Sequence, residues 1–336
     1  MNLTAPRRAV LLAVPLALLA LQLPAAFAAG PACQGQRATI VGTDAGERLN
    51  GTAGRDVIVA GDGDDLIEGL GGDDVLCGGA GVDRLLGGDG RDVLDGGPGL
   101  DARNLLGNEL DYSPVGRTSM QGGLLGGAGD DLLVDMDGGG ADLDGGEGDD
   151  VLRTNSSVSN LLGGPGQDRI AGGHGRDRID GGPGDDRIRG GQGEDTIEGG
   201  PGRDLIGGEQ GHDHLSGGDG DDVLTDREGV GSAHGGDGTD RIDVLGSTHA
   251  RITGGDGPDL IVVRGSVDNI IDGGPGNDRI TAMDGPDGIH GGDGDDTISA
   301  GAGEDSIDGG AGRDTVDGGA DKDHCVAERV RACETR

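Results

Sequence analysis

Residues 163–225 read as seven consecutive nine-residue units with no insertion: GGPGQDRIA, GGHGRDRID, GGPGDDRIR, GGQGEDTIE, GGPGRDLIG, GEQGHDHLS and GGDGDDVLT. Glycine takes positions 1, 2 and 4, lost only at Glu209; aspartate always takes position 6 and an aliphatic residue position 8. A period this short and strict confines the chain to a stack of repeated turns. The glycines admit backbone conformations closed to other residues, so six residues can make a tight turn. Residues 7 to 9 then form a short strand whose middle side chain points inward while its neighbours point out. One such strand buries almost nothing, so a unit is stable only on top of others. The turn also aims carbonyl oxygens and the position-6 carboxylate inward, and these are the hard oxygen ligands that Ca²⁺ prefers.

The spelling G-G-x-G-x-D-x-U-x resembles the nonapeptide of the RTX, or haemolysin-type calcium-binding, family. The resemblance covers most of the chain and implies an all-β fold, a right-handed parallel β-roll or β-helix solenoid in which two nonads make one 18-residue turn. It further implies that multiple Ca²⁺ ions sit between turns, held by position-6 carboxylates and glycine-rich carbonyls. The residues carried over as metal ligands are Asp56, Asp65, Asp74, Asp83, Asp92 and Asp101 in the first block, then Asp131 and Asp150. The regular block adds Asp168, Asp177, Asp186, Asp195, Asp204, Asp213 and Asp222. Asp240 and Asp259 follow, and then Asp278, Asp287, Asp296, Asp305, Asp314 and Asp323.

Composition agrees with a thin solenoid. Of 336 residues 79 are glycine, with one Tyr, one Phe and no Trp, too few large apolar side chains for a core of ordinary thickness. The formal charge of −37 opposes nucleic acid and anionic membranes as partners. Acids recurring at one position of a nine-residue period point to cation binding, since an acidic disordered chain needs no such register.

In chain order, residues 1–28 read as a signal peptide, with Arg7-Arg8 ahead of an apolar run and Ala26-Phe27-Ala28 as the cleavage site. The expected product is a secreted, extracellular protein with no membrane span; Sec and Tat export both remain open. Residues 29–41 form an N-terminal cap and 42–104 a first run of repeats. The last unit there, GGPGLDARN, puts Arg103 where an aliphatic residue belongs. Residues 105–125 are an insertion holding Tyr112, and 126–162 are irregular repeats with one calcium edge. After the regular block 163–225, residues 226–272 again keep one ladder, Asp222, Asp240, Asp259 and Asp278, at steps of 18 or 19 residues. Opposite it the second ladder stops at Asp213 and resumes at Asp287. Repeats continue over 273–326, and 327–336 form a C-terminal cap.

With a signal peptide, the four cysteines are expected in disulfides. Proximity pairs Cys33 with Cys77 and Cys325 with Cys333, one staple at each end. No H-E-x-x-H or G-x-S-x-G occurs, so the zinc-protease and lipase signatures are absent. His174, His212 and His214 fall at variable positions and read as solvated. The expectation is a non-enzymatic calcium-binding protein with a structural or interaction role outside the cell, its partners calcium ions and cell-surface or extracellular polysaccharide or protein. The alternative is a calcium-dependent polysaccharide lyase, epimerase or binding β-helix, using Arg227, His234, His249, Arg251 and Arg264 on the ligand-poor edge.

Overall fold

The computed structural model describes residues 31–97, 123–135, 140–246, 249–265 and 268–333. The leader (1–28), Asp101, Arg103, Tyr112 and most of the 105–125 insertion lie outside them. Among the described residues every regular element is a strand, and no helix is long and apolar enough to cross a membrane. The strands form two long parallel sheets of 16 and 15 strands, successive strands alternating between them. The fold is the all-β parallel solenoid expected of the repeat.

Each strand pairs with the one a full turn later, Ile170 with Ile188 and Ile188 with Ile206 in the first sheet, Ile179 with Ile197 in the second. Position 8 therefore forms two facing columns of buried aliphatics, which are the core. Where the second column shrinks to Ala233, Val230 is buried beside it and makes up the volume. The turns are stitched along the axis by backbone bonds, such as Gly166 N–H to Pro183 O at 2.9 Å and Arg187 N–H to Asp168 O at 2.9 Å.

We call the turns that lead into first-sheet strands the first edge, and those leading into second-sheet strands the second edge. On the first edge, position 1 to position 6 keeps the same spacing from Gly51–Asp56 to Gly309–Asp314. The extra residues go to the second edge. The largest lies between Gly97 and Gly123: Leu85 pairs with Leu124, and the first-edge step from Asp92 to Asp131 spans 39 residues instead of 18. Gly123–Ala128 is thus a strand rather than the end of an insertion, and buried Leu124 fills the core position that the spacing gave to Arg103. An arginine at that place in an aliphatic column would be a buried charge without a partner.

The ends differ from each other. Ala32–Cys33 and Gln36–Arg37 form an antiparallel hairpin, and Ile40–Val41 already pairs with the first sheet. Cys33, bonded to Cys77, packs with Val57 and Val75 in a small cluster apart from the core, on the outer face of the sheet. At the other end Cys325 is bonded to Cys333, and Arg329–Arg331 adds a last strand beside Thr315–Asp317. By loop entropy the first bridge contributes about 4 kcal/mol and the second about 2.5 kcal/mol.

Positions 2 and 4 need glycine for two reasons. Gly184 has φ +150°, and a Cβ there would stand 1.5 Å from the Gly166 carbonyl oxygen. Leu70 occupies position 2 at φ 81° with its side chain half exposed, so it carries backbone strain without compensating burial. Leu70→Gly is expected to raise stability by about 0.5–1 kcal/mol, the strain relieved less the added chain entropy. Gly184→Ala should lower it by roughly 3 kcal/mol. Thermal melts at fixed calcium check both, and a destabilised Leu70→Gly would contradict the strain argument.

Candidate calcium ladder

The position-6 aspartates described here are almost wholly buried, from 0% exposed at Asp168 to 7% at Asp56. They are buried because the strand begins one residue later, which turns the carboxylate under the glycine turn toward the axis. One oxygen has a fixed task. On the first edge, the N–H of Asp168 donates to Oδ1 of Asp186, Asp186 to Asp204 and Asp204 to Asp222, at 2.7–2.8 Å. The chain of bonds runs without a break from Asp56 through Asp92, Asp131, Asp150, Asp240, Asp259, Asp278 and Asp296 to Asp314.

The other oxygen, Oδ2, is buried and has no hydrogen-bond donor at Asp74, Asp92, Asp131, Asp150 and onward along this edge. Asp56 is the exception, since the Thr52 amide and hydroxyl both donate to its Oδ2, at 2.7 and 2.8 Å. What Oδ2 faces explains the first glycine of the repeat. A Cβ on Gly199 would stand 2.4 Å from the Asp204 Oδ2 and 2.6 Å from the Gly217 carbonyl oxygen one turn on. The same two oxygens close on the same space at Gly69, Gly126, Gly163, Gly235 and Gly273. Position 1 is glycine because its missing side chain leaves a cradle between turns, rimmed by a carboxylate and a carbonyl.

That cradle fits Ca²⁺. Its oxygens are hard donors, and an unsatisfied buried carboxylate oxygen repeated turn after turn requires a cation or a proton. Among the described residues no three His, Cys, Asp or Glu side chains gather into a cluster, so carbonyls must complete any coordination shell. A bound ion would supply charge neutralisation across each pair of turns; Asp204, Asp222 and their counterparts would hold it with the position-1 carbonyls.

The second edge is more varied. Asp177, Asp195 and Asp213 repeat the amide ladder, as do Asp65 with Asp83 and Asp287 with Asp305 and Asp323. At Ala60, Ala282 and Ala300 a buried alanine replaces the position-1 glycine, so a methyl stands in the cradle before Asp65, Asp287 and Asp305. Between Asp213 and Asp287 apolar side chains enter the second-edge turns, with Val244, Ala250 and Val263 buried at positions that carry glycine or aspartate in the regular repeats.

Period-based reading misses several residues here. Asn269 takes the ladder position ahead of Asp287, its N–H donating to Oδ1 at 2.9 Å. Glu328 is the final first-edge rung, accepting the Asp314 N–H at 2.9 Å, only 14 residues on because the closing turn is short. Asp135 and Asp226 are buried at position 1, where the period predicts glycine. By contrast, His174, His212 and His214 are exposed as expected. Four residues of the alternative site are spread over both sheets and a turn. His234 and Arg251 stand on second-sheet strands, Arg264 on a first-sheet strand paired with Asp243, and Arg227 pairs with Glu209.

From Asp65 to Asp305 burial is the first cause that raises the ladder carboxyls, with neighbouring carboxylates adding to it against the lowering by the backbone N–H. Asp131 is pushed up to about 8, and Asp168, Asp186, Asp204 and Asp259 to about 7. These values lie above the 3.8 of an unperturbed aspartate. Between those limits the folded, ion-free form holds protons that the unfolded chain has given up. Its stability is therefore greatest at the acid end and falls as pH rises toward 7–8. Protons compete with calcium in the same window, so calcium affinity should rise with pH. Circular dichroism of metal-free protein at pH 5 and pH 8 checks the first, expecting more β signal at pH 5. The reverse order would refute it.

The family model described as RTX calcium-binding nonapeptide repeat (4 copies) matches residues 41–76, 77–102, 162–197, 189–224, 263–298 and 290–325, more than half of the chain. The stretches between these matches include most of the second-edge turns that lack a position-6 aspartate, the turn of Asn269 falling inside a match. No curated protein matches the chain. The buried ladder, the glycine cradles and this match lead to one conclusion: the chain belongs to the family of RTX calcium-binding repeat proteins.

Proposed function

We propose that the protein is exported and folds on multiple calcium ions outside the cell, where it serves as a non-enzymatic structural or interaction rod. The observation that carries this reading is the unbroken first-edge ladder, in which buried Oδ2 atoms recur without a donor. Stacked at the strand spacing of about 4.8 Å, two such charges repel by about 3–4 kcal/mol at an effective dielectric near 20. Each turn offsets this with aliphatic side chains that contribute roughly 2 kcal/mol apiece. Divalent ions between the turns reverse the sign of the electrostatic term.

Export is supported by the charged, apolar and A-x-A succession in residues 1–28, and by disulfides at both ends, which persist in oxidising compartments. Outside the cell calcium is abundant enough for weak sites. The partner on this reading is an extracellular or cell-surface polysaccharide or protein. A chain dominated by carboxylates reaches such a partner once calcium has neutralised its ladders.

The test is a calcium titration of the metal-free protein at neutral pH, followed by far-UV circular dichroism. A disordered spectrum in chelator should give way to a β-rich one at about 10⁻⁴ to 10⁻³ M Ca²⁺, the range of extracellular modules. A spectrum that does not respond to EDTA or to calcium would overturn the reading.

A further inference from the structure

The second-edge ladder has no aspartate at position 6 between Asp213 and Asp287, yet two buried carboxylates meet just after Asp213. The register that pairs Gly207 with Thr225 sets Asp226 one turn beyond Gly208, in the position-1 column that Gly172, Gly190 and Gly208 hold in the turns before it. The position-6 place of that turn is Gly231, whose N–H donates to the Asp213 carbonyl at 2.8 Å and keeps the turn docked. The carboxylate has thus moved from one side of the turn to the other, with glycine and aspartate exchanged.

Asp213 is 0% and Asp226 2% exposed. Their carboxyl groups are in side-chain contact, and Oδ2 of each lacks a hydrogen-bond donor. Oδ1 of Asp226 is fixed by the Glu228 N–H at 3.0 Å, and Oδ1 of Asp213 by the Asp195 N–H at 2.8 Å, so neither side chain is free to turn away. The nearest basic side chain in sequence, Arg227, is exposed and pairs with Glu209 at 3.5 Å. His214 is exposed and meets Ser232 through Nδ1 at 2.8 Å. Two fixed, desolvated carboxylates in contact must share either a proton or a metal cation.

We propose that Asp226 is a calcium ligand in a transposed position, joining Asp213 in a site that extends the second-edge ladder one turn further. Beyond it the cradles are closed by Val244 and Val263, so this site ends the ligand-bearing run on that edge. The inference rests on the calcium reading above and deepens it.

Native mass spectrometry of the full chain at saturating calcium counts the ions. Asp226→Asn, which keeps the shape and the Glu228 contact, should bind one ion fewer than the wild type. Hydrogen exchange should lose calcium-dependent protection over 205–232 but not over 163–200. The double variant Asp226→Gly, Gly231→Asp restores the regular spelling and should recover both the ion and the protection, which a merely structural role for Asp226 would not. An unchanged ion count and unchanged protection in Asp226→Asn would overturn the assignment and leave the calcium reading intact. Failure of the double variant to recover them would overturn it as well. A wild-type chain that binds no calcium would overturn the calcium reading and this inference with it.

Discussion

The constraint on which the structure depends is the buried second oxygen of each ladder aspartate. Oδ1 is consumed by the amide of the preceding turn, which builds a continuous hydrogen-bonded file from Asp56 to Glu328 along the first edge. Oδ2 is left facing a glycine cradle and a carbonyl of the next turn. A buried oxygen that no donor satisfies is costly once and prohibitive when repeated along the axis. The fold is therefore a polyanion in register, whose interior calls for cations or protons along the ladder as much as for the aliphatic columns. That also explains how a chain so poor in aromatic residues can hold parallel sheets of 15 and 16 strands.

The two edges divide the labour. The first keeps its glycine, its aspartate and its spacing from Gly51 to Asp314. The second absorbs variation: the extra residues between Gly97 and Gly123, the alanines at 60, 282 and 300, and the valines at 244 and 263. Because both edges belong to the same turns, one intact ladder suffices to set the register. The opposite turn can then exchange oxygen ligands for hydrocarbon. Where it does so, the turn is held by packing, which does not depend on calcium. Regions with one ladder thus carry fewer buried charges and lean more on their core.

Both ends are closed by covalent and local devices in place of further turns. A parallel stack leaves an unpaired strand at each end, open to pairing with other chains. The bridge from Cys33 to Cys77 draws the N-terminal hairpin against the sheet's outer face. The bridge from Cys325 to Cys333 holds a shortened turn whose Glu328 completes the ladder.

The parallel roll with two nonads per turn came with the family resemblance. The nine-residue period by itself determined a stack of repeated turns, the inward residue at position 8 and the inward aspartates, through side-chain alternation after a fixed turn. It also located the cysteine pairs, whose separations leave each bridge within one end of the stack. What the period could not carry is anything decided by which residues become neighbours across a turn. Leu124 substituting for Arg103 in the core, Glu328 acting as a rung after 14 residues, and Asp226 facing Asp213 all break the spacing by which the eye follows the repeat. Tertiary structure decides them because hydrogen bonding and burial are judged between stacked turns, where a residue counts by its place in the column and not by its distance along the chain.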